Sequence, residues 1–160
     1  MKHAWLILCA CALTILFVSA VPAQDNSAGI IQYRQKVMGA QSGHLGGIGQ
    51  ILKHSLPFKE DIPSHARAVA NLAKLLPKLF PEGTGEGKTD ALPKIWQDMD
   101  GFKKAAGKLE QEASKLAQVA QSGDSGAIMA QLKKTGKACG GCHKKFRQPK
   151  EKRKSWKKKK

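Results

Sequence analysis

Two cysteines and a histidine stand together at Cys139-Gly140-Gly141-Cys142-His143, the spacing C-x-x-C-H. That spacing suits covalent attachment of a haem. The two thiols add across the two vinyl groups to form thioethers, and the imidazole next to Cys142 ligates the iron. On a helix, residues three and four apart share a face, so all three reactive side chains can point at one flat macrocycle. Gly140 and Gly141 put no side chain between the two anchors. Close cysteines have other uses. A redox disulfide of the thioredoxin kind opens a helix after a strand, and nothing nearby reads as a strand. A closed zinc site usually needs a second ligand pair at similar spacing, whereas His44, His54 and His65 are scattered singly. A plain disulfide has no use for His143. One covalent c-type haem, held by Cys139 and Cys142, is the reading that employs every residue of the motif.

The remaining cysteines, Cys9 and Cys11, fall in a segment of a different kind. Lys2 and His3 precede an apolar run from Ala4 to Val18, and Val21-Pro22-Ala23 offers the small residues a signal peptidase accepts. Residues 1–23 are expected to be a cleaved signal peptide, which places the protein in the periplasm. The run is too short for a membrane span and soon gives way to polar residues. Its removal leaves only the haem pair of thiols, so stability must come from a packed core and the cofactor. The mature chain divides into one domain, residues 24–149, and a lysine-rich tail, residues 150–160, expected to be disordered. Without the leader the chain has 27 basic and 12 acidic residues, a net +15, of which the tail supplies +7. A basic exported body points to acidic partners or an anionic surface.

Behind the motif, apolar residues recur at helical spacing throughout. From about Ser27 to His54 they are Ile30, Ile31, Val37, Met38, Leu45, Ile48, Ile51 and Leu52. This first helix also carries Gly39, Gly43, Gly46, Gly47 and Gly49, each costing about 1 kcal/mol relative to alanine. Either small residues admit a close neighbour, a helix or a haem face, or the helix is weak and frayed. A second helix is expected from about Asp61 to Leu76, with Pro63 in its first turn. Pro77, Pro81 and Glu82 to Lys88, with three glycines, form the longest loop. A third helix is expected from an N-cap at Asp90, with Pro93 in its first turn and Trp96 at its edge. Its stripe of Ile95, Met99, Phe102, Ala106, Leu109, Ala113, Leu116 and Ala120 ends at Gly123. The fourth, capped by Asp124 or Ser125, carries Cys139, Cys142 and Phe146 and ends at Pro149. Four such helices with mostly short connections predict an all-α, antiparallel four-helix bundle, a fold that hosts cofactors between facing helices.

The chain resembles the cytochrome c-prime family, the class II cytochromes c, up to Arg147. The resemblance rests on Tyr33-Arg34-Gln35-Lys36-Val37-Met38, Leu76-Pro77-Lys78-Leu79-Phe80-Pro81, Pro93-Lys94-Ile95-Trp96 and Gly136-Lys137-Ala138-Cys139 through Arg147. Unlike most c-type cytochromes, this family carries C-x-x-C-H on the last helix of a bundle. The resemblance implies that the first helix covers the haem face opposite His143, with Met38 in the distal position. It also implies that Arg34 lies near the haem propionates and Arg147 near the proximal imidazole.

The family has two branches. In one the distal residue only packs against a five-coordinate iron, which takes up NO or CO. In the other a distal methionine binds the iron, raising the reduction potential and closing the site to small ligands. Met38 suits either, since methionine also fills core gaps. The Leu76-to-Pro81 loop and the Gly136-to-Cys139 approach look closer to the methionine-ligated branch, so one-electron transfer with His143/Met38 ligation is the expectation. NO or CO binding is the alternative. His44 and His54 are expected to face solvent. The tail, with Trp156 among its lysines, suits a redox partner of acidic surface or weak contact with anionic lipid headgroups. Nucleic acid is not expected as a partner after export, and a homodimer through the first two helices is possible. No nucleophile–base pair, carboxylate dyad or phosphate loop stands out, so enzymatic turnover is not indicated.

Overall fold

The computed structural model describes residues 26–153. The expected signal peptide and the last seven residues of the lysine-rich tail lie outside that range. Five α-helices succeed one another: α1 (Ser27–Lys53), α2 (Ile62–Leu75), a single turn α3 (Lys94–Gln97), α4 (Met99–Val119) and α5 (Ser125–Phe146). The four long ones, α1, α2, α4 and α5, form the expected bundle. The structure places the boundaries within a residue or two of the sequence reading, except at the third helix.

That helix is split. Asp90 is not its cap: α3 starts behind Pro93 and stops at Asp98, whose backbone turns out of the helical region. Asp98 instead caps α4, its Oδ1 accepting from the Gly101 amide at 2.9 Å while its Oδ2 accepts from Lys145 Nζ at 2.6 Å. A Cβ on Gly101 would collide with that carboxylate, so the cap depends on a glycine three residues further on. Asp98 satisfies one of the amides that a helix start leaves without partners. The chain then passes Gly123, which takes a left-handed φ of 71° between α4 and α5. Asp124 caps α5 as expected, accepting from the Gly126 and Ala127 amides at 2.8 and 3.2 Å.

The core has two parts. At one end, Ile48 and Ile51 of α1 meet Ile62 of α2, Leu116 of α4 and Ile128 of α5 in an aliphatic cluster. At the other, aromatic rings stack edge to face: Trp96 on Phe80, Phe80 on Phe102 and Phe102 on Phe146, with centroids 6.2, 4.8 and 5.3 Å apart. Such pairs add roughly 0.5–1.5 kcal/mol each beyond their buried area. Trp96 lies at the edge, as expected, and its Nε1 donates to the carbonyls of Phe80 and Pro81 at 3.0 Å.

Helices α2 and α4 form the most intimate seam, and α1 and α5 meet far more sparingly. Between α4 and α5 the lock is polar. Gln131 donates to the Glu112 carboxylate at 2.6 Å, and Thr135 Oγ1 donates to the Glu112 carbonyl at 3.2 Å. Past α5 the chain lies antiparallel to the segment before α3. The Leu92 amide donates to the Phe146 carbonyl at 3.0 Å and the Gln148 amide to the Asp90 carbonyl at 2.8 Å. Residues 150–152 of the tail form a short 3-10 turn, and Arg153 Nε donates to the Gln148 carbonyl.

His44 corrects one expectation. It does not face solvent but turns toward α2, where its Nδ1 lies 2.9 Å from Nδ1 of His65, both rings half-buried. Gly47, one turn along, packs on the same His65 ring. His54, past the end of α1, is exposed as expected.

Candidate haem-binding site

The last three turns of α5 carry Cys139, Cys142 and His143, all half-buried and on one side of the helix. Both cysteine side chains pack on the aromatic end of the core. Both are free. Burial pushes the Cys139 thiol above its ordinary range. Burial, with the neighbouring Cys139 adding to it, pushes Cys142 up to about 11. A redox C-x-x-C pair works the other way, through a thiolate stabilised by a lowered pKa. Among the described residues no group of three or more His, Cys, Asp or Glu comes together as a metal site. The raised thiols do not suit a redox pair, no second ligand pair stands by for zinc among the described residues, and the two cysteines are not joined in a disulfide.

His143 is held neutral. Burial, and next the charges of Arg147 and Arg153, lower its pKa to about 4. Its imidazole thus offers a ring-nitrogen lone pair at neutral pH, the form in which histidine binds a metal.

Facing these residues across the sparse α1–α5 seam are two adjoining cavities. One, of about 290 Å³, is bounded by Arg34, Met38, Phe80, Cys142, His143 and Arg147 among others. The second, of about 430 Å³, is bounded by Met38, Gln41, Leu45, Leu109, Cys139 and His143 among others. Met38, Cys142 and His143 belong to both, so the two volumes together make one slot between the helices. All six residues singled out in the sequence, Arg34, Met38, Cys139, Cys142, His143 and Arg147, border it.

The residues fit a flat, largely apolar macrocycle. The slot is walled by Phe, Leu, Ile and Ala, while two covered polar atoms on residues lining it, Gln41 Nε2 and Arg147 Nε, have no protein partner. Gly39 and Gly46 of α1 border the slot, yet a Cβ on either would meet nothing within 4 Å. Here the glycines mark space rather than a close helix contact.

Arg34 is 3 % exposed. Its guanidinium donates to Thr84 Oγ1 at 3.0 Å, to the Thr84 carbonyl at 2.7 Å and to Thr89 Oγ1 at 2.7 Å. It also lies 4.6 Å over the Phe80 ring. Desolvation lowers its pKa to about 10, which leaves it charged at neutral pH. The long loop is therefore moored to α1 through Arg34 and, further along, through Gln35, whose Nε2 donates to the Lys88 carbonyl at 2.7 Å. Arg147, at the end of α5, is likewise lowered by burial and next by Arg153.

The sequence reading missed Gln41, Phe80 and the two threonines. Gln41 had a signal: three residues after Met38, it interrupts an otherwise apolar or small stripe. Thr84 and Thr89 had none, because loop residues carry no periodicity.

Comparison with known proteins agrees with this site. The family described as cytochrome c′ matches residues 29–147. The cytochrome c′ of Rhodospirillum rubrum is 39% identical over 137 residues, covering 85% of this chain and 93% of that one. The solved cytochrome c prime of Shewanella frigidimarina superposes with a TM-score of 0.71 at 34% identity, covering 79% of this chain and all of that one. A variant of the cytochrome c prime of Alcaligenes xylosoxidans, solved as its nitric oxide complex, gives a TM-score of 0.69 at 27% identity, covering 78% of this chain and 97% of that one. The chain belongs to the cytochrome c′ family. It is a monohaem c-type cytochrome, and its one haem is attached covalently through Cys139 and Cys142.

Proposed function

We propose that this cytochrome is exported and that it binds a small neutral gas, NO or CO, at an iron held only from the α5 side by His143. The observation that carries the reading is the place of Met38. Its side chain packs on the aromatic end of the core and has open volume on both sides of it. Met38 is thus anchored as a core residue whether or not a metal stands before it. The α1 helix that bears it meets α5 only sparingly. The resemblance to proteins named cytochrome c′, one of them solved with nitric oxide, supports the same branch.

In this reading His143, kept neutral by burial, would hold the iron through a ring nitrogen. Phe80, Phe102 and Phe146 exclude water from one edge of the slot. Arg34 and Arg147 stand at that edge to receive carboxylates. When bound, the haem would supply an iron able to take up such a gas. The reading assigns the protein binding rather than turnover. A homodimer through α1 fits the exposure of Tyr33 on its outer face, 55% accessible. The surplus of lysines fits a redox partner of acidic surface.

Electron transfer with His143/Met38 ligation is the second reading, favoured by Met38 and His143 bordering the same two cavities. An optical spectrum separates the two. High-spin ferrous protein that takes up CO supports the gas-binding reading. A low-spin spectrum indifferent to CO, turning high-spin only in Met38→Ala, overturns it in favour of the electron carrier.

A further inference from the structure

Gln41 is a polar side chain in the wrong surroundings. It is 5 % exposed, and its Nε2 is fully covered without a partner. Leaving such a donor unmatched shifts the folding equilibrium against the native state by roughly tenfold to a hundredfold. Buried polar groups in folded proteins are nearly always matched, so the exception calls for a partner the chain itself does not supply.

The surroundings restrict what that partner is. Gln41 lies three residues after Met38 on α1, so the two share a face. Both border the cavity that reaches Cys139 and His143. Leu45, Leu76, Leu109 and Leu132 make up much of the rest of its lining. Ser42, the other polar residue α1 contributes there, is exposed. Arg34 and Arg147, which suit carboxylates, border the neighbouring cavity and not this one. Gln41 therefore faces the slot where no charged group of the chain competes, and an enclosed apolar wall strengthens any hydrogen bond made there. A half-turn of its amide exchanges oxygen and nitrogen within the same shape, so either a donor or an acceptor can be presented.

We propose that Gln41 donates a hydrogen bond to the diatomic ligand taken up on the α1 side of the haem iron, and so sets how long that ligand stays. The inference rests on the gas-binding reading, in which the α1 side of the iron is open. A ligand such as CO or NO draws electron density from ferrous iron into its outer atom, which then accepts a hydrogen bond. No covalent bond is made or broken by Gln41, and no proton is transferred.

The test uses the ferrous holoprotein with CO as the probe. Gln41→Leu and the closely isosteric Gln41→Met are compared with the parent by infrared spectroscopy and by the rate at which excess NO displaces bound CO. The expected result is a C–O stretch moved to higher frequency in both variants, with CO leaving roughly two- to tenfold faster, the cost of one lost hydrogen bond. The same substitutions are repeated in a Met38→Ala background, where the iron is open whatever Met38 does. If CO binds only in that background and the stretch still moves with Gln41, the gas-binding reading falls and the role of Gln41 stands. If CO binds and the stretch and rate are unchanged in Gln41→Met, Gln41 does not touch the ligand. A raised thermal midpoint without a spectral change would show a merely unmatched or water-bridged amide. That outcome overturns the proposal.

Discussion

Two seams of this bundle are built from small residues to opposite effect. Between α2 and α4 the small residues are alanines, Ala66, Ala70 and Ala73 facing Ala106, Ala113 and Ala117, each no more than 6 % exposed. There they let two backbones approach, and the seam is the tightest in the molecule. Along α1 two glycines, Gly39 and Gly46, border the slot, and a Cβ on either would touch nothing. There they accompany a seam held apart. A small residue thus closes or opens an interface according to where the neighbouring backbone stands, and the haem slot lies where the backbones are separated.

The largest way to break the contrast is to remove what fills the open seam. In Cys139→Ala/Cys142→Ala the haem becomes extractable with acidified organic solvent. The protein should unfold at lower urea than the parent, because a haem that is no longer tethered can leave as the chain opens, so folding is stabilised only in proportion to the haem present. Urea unfolding measures this, and hydrogen exchange should accelerate in α1 before α2 or α4. Next, Phe102→Ala removes the ring between Phe80 and Phe146 and costs about 3–5 kcal/mol. Ala113→Leu overfills the closed seam, at about 1–3 kcal/mol in urea melts. The same enlargement on the outer side of α1 has the opposite sign: Gly43→Ala should stabilise by about 0.5–1 kcal/mol, since it adds helix propensity without a collision. Equal signs for Ala113→Leu and Gly43→Ala would show that the outer face of α1 is as crowded as the closed seam.

The smallest effect concerns pH. The hydrogen bond from Lys145, then that from the Gly101 amide, holds the Asp98 carboxyl below its ordinary range. A group with a depressed folded-state pKa stabilises above its unfolded value, and that contribution is lost as pH falls through the folded value. Thermal melts of Asp98→Ala should therefore lie slightly below the parent at neutral pH and converge with it in acid, below the usual carboxylate range.

Helix periodicity made α1, α2 and α5 readable to within a residue or two, because their apolar residues recur at helical spacing and Pro63 and Asp124 mark where α2 and α5 start. The third helix was misread at its start for a definite reason. Asp90 and Asp98 are equally good caps by type, but only Asp98 finds the Gly101 amide and Lys145 as partners, contacts that the spacing of the sequence does not display. The motif gave the attachment residues outright, since their chemistry is local. Arg34, Met38 and Arg147 were reachable through resemblance alone, as nothing in their spacing points to an iron. His44 was misplaced because a lone polar residue on a glycine-rich helix gives no hint of a partner on the next one. Gln41, Thr84 and Thr89 matter only through what surrounds them in space.

Among the described residues no carboxylate pairs with Arg34; its partners are neutral oxygens and the face of a ring. The surface lysines lose their pull beyond about 8–10 Å in salt water, because mobile ions screen them. An enclosed guanidinium is shielded from those ions, so its attraction for an anion admitted to the slot persists in brine as in dilute buffer. The protein thus keeps two kinds of positive charge: an outer one that ionic strength can switch off, and an inner one that it cannot.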